Sequence, residues 1–107
     1  MATSYLTLGQ AVPAGSITNL YTASAATVVS TIAACNTTAS AATATIYVRV
    51  AAASAATSNA LVYLQTIPAY STSTFTLGIT LASTDVITVA SGTSGAITFH
   101  AFGSTIA

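Results

Sequence analysis

Charge is almost missing from this chain. Its 107 residues hold one cation, Arg49, one acid, Asp85, and neither lysine nor glutamate. Nucleic-acid binding draws on several Lys or Arg side chains that displace counterions from phosphates, and a lone arginine cannot do this. A net charge of zero with the histidine neutral also removes any pull toward an anionic membrane surface. Long apolar runs are missing as well, because Ser, Thr or Gly interrupts every stretch before the roughly 18 residues that a spanning helix needs. A small outer-membrane barrel would want aromatic girdles and a secretory signal, and "MATSYLTLGQ" has neither a basic nor an apolar leader region. No membrane partner is expected. Cys35 stands alone, which excludes a disulfide within the chain and fits synthesis in a reducing cytoplasm.

The scarcity of polar chemistry excludes most enzyme classes. A Ser-His-Asp set would have to use His100 and Asp85, yet no serine sits in a nucleophile-elbow pattern. One His, one Cys and one Asp cannot close a four-ligand metal shell within one chain. Three copies of His100 around an axis could supply ligands, but a strand histidine on the face opposite Phe99 needs no metal. "GTSG" at 92–95 reads as a hairpin turn, since no P-loop lysine follows it. Threonines spaced by two, as in "TSTFT", resemble an ice-binding array, but their spacing is too irregular for a flat lattice. The expectation is a non-enzyme without a cofactor.

What is present is alanine, threonine and serine, together more than half of the chain. Hydrophobic residues reach 53%, so the composition lies far from that of disordered chains. The periodicity is that of strands. In "TATIYVRV", Ile46, Val48 and Val50 share one face, with Thr45, Tyr47 and Arg49 on the other. "STFTLGIT", "DVITVAS" and "AITFHAF" alternate in the same way, and threonine suits the pleated surface. Prolines and turn clusters fall between the runs, in "VPAGS", "CNTTAS", "IPAYS", "LASTD" and "SGTSG".

These signals predict strands near 3–9, 16–22, 26–35, 42–50, 60–66, 73–80, 85–90 and 96–102. Seven or eight short antiparallel strands with frequent turns indicate an all-β single domain, a β-sandwich of jelly-roll or Ig-like type. Residues 1–10 are expected as an N-terminal strand or arm, able to add to a neighbour's sheet edge, and 11–107 as the sandwich. Alanine-rich "VAAASAATSNA" could form a helical turn. Its Ser, Thr and Asn residues favour a connection of about ten residues instead. Arg49 and Asp85 are the candidate structural ion pair or interface residues, within one subunit or between subunits, with two unrelated solvated charges as the plain alternative.

Two longer segments, "LYTASAATVVSTIAACNTTASAATATIYVRV" and "IPAYSTSTFTLGITLASTDVITVASGTSGAITFHAFG", resemble a group of small tailed-bacteriophage virion proteins. In that group "LYT" precedes a "VVSTI..CN" strand, followed by "IPA…TF…LGITLA..D.I.V" and a closing "I.F.AFG". The likeness runs from Leu20 to Gly103. This chain departs from the pattern in its poverty of charge and in "LASTD", where "LAxGD" is usual. The resemblance implies a capsid decoration (cement) protein on the outer surface of the virion. Its partners would be the major capsid protein and further copies of itself, as a homotrimer. A tail, neck or fibre module touching the host surface is the alternative. Glycan recognition there would rest on Tyr5, Tyr21, Tyr47, Tyr63 and Tyr70, of which Tyr70 is expected to be the most exposed.

Small side chains give an independent reason to expect assembly. Ordering a residue costs about 1.5 kcal/mol, while buried apolar surface returns about 25 cal/mol per Å². Alanine and threonine offer little area each, so contacts with other subunits would add stability that the isolated fold lacks.

Overall fold

The computed structural model describes residues 3–14 and 17–106. Strands dominate, in the order β1 (Thr3–Ala11), β2 (Thr18–Thr22), β3 (Thr27–Asn36), β4 (Ala42–Arg49), β5 (Ala60–Ile67), β6 (Thr72–Phe75), β7 (Ile79–Leu81), β8 (Val86–Ser91) and β9 (Ile97–Ile106). One sheet runs β1-β9-β3-β6, with β7 also on β3, and the other runs β2-β8-β4-β5. All pairings are antiparallel. Taken in chain order, the strands cross repeatedly from one sheet to the other, and β4 and β5 stay together. That is the strand order of a jelly roll, with β6 and β7 acting jointly as one edge.

The core lies between the sheets and follows the sequence alternation. Ile46 and Val89 stand opposite each other across β4 and β8, and Val48 and Ile87 form the next inward pair. Phe99, Ile32, Ile97 and Val29 are fully buried from the facing sheet. Alanines fill further core positions, with Ala34, Ala44 and Ala101 on the strands and Ala96 just before β9 at 0% exposure.

Two expectations change. The strand expected at 73–80 is two strands, because Gly78 takes a left-handed φ of 61° and turns the chain out of the pleat. β6 then pairs with Ile32–Cys35 and β7 with Thr27–Val29. The "GTSG" segment is not a hairpin, since it carries the chain from β8 in one sheet to β9 in the other. The connection after β4 spans residues 50–59, as expected, with a tight turn closed by Ala53 N–H on the Val50 carbonyl and a 3-10 turn at Thr57–Asn59.

β1 pairs along its length with β9 of the same chain and forms an edge of its sheet. The first two residues of the expected 1–10 segment, and residue 16 of the expected 16–22 strand, lie outside the described residues.

Candidate functional site: a corner held by the two charges

Alternation along β4 puts Ile46 into the core and Arg49 on the outer face of its sheet, beside Val86 of β8. The guanidinium does not reach Asp85. Its Nε donates to the Ala53 carbonyl at 2.6 Å, and Nη2 donates more weakly to the Ala52 carbonyl at 3.4 Å. Nη1 donates to Thr88 Oγ1 at 3.2 Å, and the Thr88 hydroxyl donates onward to Asn19 Oδ1 at 3.1 Å. One arginine thereby ties three strands, β4, β8 and β2, to the loop that leaves β4.

Asp85 grips the same loop from the other side. Its Oδ1 accepts from the Ala51 N–H at 2.9 Å, and Oδ2 accepts from the Ala82 N–H at 3.0 Å. These two bonds, Ala51 foremost, hold its carboxyl below the ordinary range, against a smaller upward push from burial. Among the described residues, the candidate ion pair is therefore two charges that bond one loop and not each other.

The loop needs holding. Ala53 N–H closes a turn onto the Val50 carbonyl at 3.1 Å, and the central residues Ala51 and Ala52 have φ of 53° and 59°. Positive φ at both central positions is type I′ geometry, which ordinarily calls for Asn or Gly. An L-residue there costs roughly 1–2 kcal/mol. This turn lies against β8, the Thr57–Asn59 turn folds back on β4, and Asn59 closes the connection by bonding Ala56 N–H and the Ser54 carbonyl. Thr88, on the outward face of β8, is fully buried.

The adjoining turn is strained too. Asp85 N–H bonds the Ala82 carbonyl at 3.1 Å, and Thr84 sits at φ 78°. Glycine would take that φ without steric cost. Backbone bonds from Thr84 N–H to the Ala23 carbonyl, and from Ala23 N–H to the Asp85 carbonyl, fasten this turn to the end of β2.

Two determinants carried no sequence signal beyond residue type. Asn36, read only as part of a turn cluster, is fully buried. Its Nδ2 donates to the Ser40 and Ile67 carbonyls, and its Oδ1 accepts from the Thr38 N–H and hydroxyl, so all four sites are filled. Thr45 is the second. Residues 63 and 64 of β5 bulge opposite it, and its Oγ1 accepts the Leu64 N–H that the ladder cannot.

Beyond this corner, side chains are presented rather than gathered. Leu61, Tyr63 and Leu64 are exposed along the edge strand β5, and Val50 is exposed at the strained turn. Among the described residues, Tyr70 is the most exposed large hydrophobic side chain, at 74%. His100 faces outward from β9 and stacks on Phe102, with ring centroids 6.0 Å apart. Among the described residues, no three His, Cys, Asp or Glu side chains come together, and no helix is long and apolar enough to cross a membrane. The chain matches no protein-family model, no curated protein and no solved structure.

Proposed function

We propose that this protein is a non-catalytic virion subunit of a tailed bacteriophage, a capsid decoration protein that docks on the outer shell and stabilises capsomer junctions. The observation that carries the reading is the set of uncovered apolar side chains on one edge strand. Leu61, Tyr63 and Leu64 are each about half exposed or more on β5, in a chain with almost no charge to keep copies apart. A surface of this kind suits a protein fixed among neighbours. The jelly-roll strand order agrees with the sequence resemblance, and the fold recurs in viral capsid domains, an analogy at the level of fold. In this role the major capsid protein is the partner, and trimers of the chain would be the docking unit.

A tail, neck or fibre module is the second reading, favoured by the projecting ring of Tyr70. Cryo-electron microscopy of purified particles, with copy number from quantitative mass spectrometry, tests both. Hundreds of copies on the outer shell support decoration, and a few to some dozens confined to the tail support the second reading. Absence from particles ends both.

A further inference from the structure

We propose that the 50–59 connection is an acid-released strap, which opens from the outer face of its sheet when Asp85 takes up a proton while the sandwich stays folded. The geometry that carries this is the donor set around the carboxylate. Both oxygens accept from backbone N–H groups, Ala51 on one side and Ala82 on the other. Protonation leaves one full acceptor oxygen and makes the other a hydroxyl, a weaker acceptor whose proton competes for the same space, so one of the two bonds is weakened.

The two sides differ in what remains. The Ala82–Asp85 turn keeps its own backbone bond and its two bonds to Ala23. The Val50–Ala53 turn keeps one backbone bond and the Arg49 contacts, with two alanines in left-handed φ pulling against them. The strap is therefore the side that yields.

The rest of the molecule has little reason to respond. Asp85 is the only acidic side chain, so no ensemble of carboxylates stands ready to neutralise and unfold the sheets. The titratable or charged side chains on the elements around it are few. β4 carries Arg49 and Tyr47, β2 carries Tyr21, whose hydroxyl bonds Thr27, and β7, β8 and the strap carry none. His100 is on the other sheet.

Amide hydrogen exchange followed by NMR between about pH 6 and pH 2, corrected for intrinsic rates, tests the strap in the unmodified chain. Protection at Ala51 should fall on acidification while protection at Val29 and Phe99 holds. The Asp85→Asn variant, which places an amide donor where the proton would sit, should show the open strap at neutral pH and no further opening in acid. That variant also separates Asp85 from the chain's terminal carboxyl, which titrates in the same range. Unchanged Ala51 protection in acid, or equal loss at Val29 and Phe99, overturns the proposal. So does an Asp85→Asn chain that opens only on acidification.

Discussion

The two ends of β4 solve the same problem by different means. Where the chain turns into Ala42, the connection is organised by Asn36, a neutral side chain buried to 0% exposure with every hydrogen-bonding site filled. Where the chain leaves Arg49, the connection is organised by the only guanidinium and the only side-chain carboxylate. The first end has one non-glycine residue at positive φ, Tyr70, whose N–H bonds the Thr38 carbonyl. The second carries three, Ala51, Ala52 and Thr84. Charge has been kept where more backbone strain must be opposed, because a charged partner makes the stronger hydrogen bond. A neutral amide suffices where less strain must be held.

If that contrast holds, the largest effect belongs to the neutral end. Asn36→Ala strips four bonds and strands the buried Ile67 carbonyl and the Thr38 N–H, while the Ser40 carbonyl keeps its bond from the Thr38 hydroxyl. Uncompensated buried polar groups of this kind should cost about 3 kcal/mol. For a domain of this size that lowers the melting temperature by roughly 10–20 °C. Because no ionisable group is involved, the loss should be the same at acidic and neutral pH. Thermal unfolding at several pH values checks this, and a pH-dependent loss would blur the distinction between the two ends.

Arg49→Ala comes next. It removes the Ala53 and Thr88 bonds at a partly exposed site, so about 1–2 kcal/mol is expected after solvent screening. The sharper measurement is the cycle with Asp85→Ala. Since both side chains restrain one turn without touching, releasing it with the first substitution should leave less for the second to release. The double variant should be more stable than the sum of the two single losses implies. Strict additivity, measured by denaturant unfolding, would mean that the two charges act on separate structures.

Acid should separate the ends again. Asp85 has a folded-state pKa below its unfolded value, so its contribution is fully present above about pH 4. It is lost as pH falls through the lower, folded-state value. Asp85→Asn should flatten the acid limb of the stability profile, and Asn36→Ala should leave its shape intact.

The sheets were far more legible in the sequence than the corner. Alternation in "TATIYVRV" and "DVITVAS" sorted Ile46, Val48, Ile87 and Val89 from Arg49 because a strand has a period of two and one face must be dry. The break at Gly78 was hidden inside a run that alternates perfectly. The alternation describes side chains, whereas the break is a backbone choice that glycine permits without demanding. Arg49 and Asp85 stood out as the only charges, and a direct pair is what two opposite charges ordinarily suggest. Most of their partners are N–H and carbonyl groups of alanines, which any sequence offers everywhere. Asn36 was hidden for the same reason, because "CNTTAS" reads as a turn whether or not its asparagine is buried. The 50–59 connection was foreseen as irregular, but strained alanines leave no compositional trace.

The smallest expected effect is the one that probes strain directly. Thr84 holds φ 78° with a β-branched side chain, at a turn position where glycine is free of steric cost. Its side chain is exposed, so Thr84→Gly gives up little packing. Relief of about 1–2 kcal/mol of left-handed strain is partly offset by the roughly 0.5–1 kcal/mol of extra chain entropy that glycine loses on folding. A net gain of about 0.5–1 kcal/mol should raise the melting temperature by roughly 2–6 °C. The same substitution in an Arg49→Ala background should help by a similar amount, because the Ala82–Asp85 turn is fastened to Ala23 by backbone bonds and not by the guanidinium. A loss of stability instead would mean that the threonine is held there by something its φ does not reveal, and strain would no longer explain why the two charges sit at this end of the sandwich.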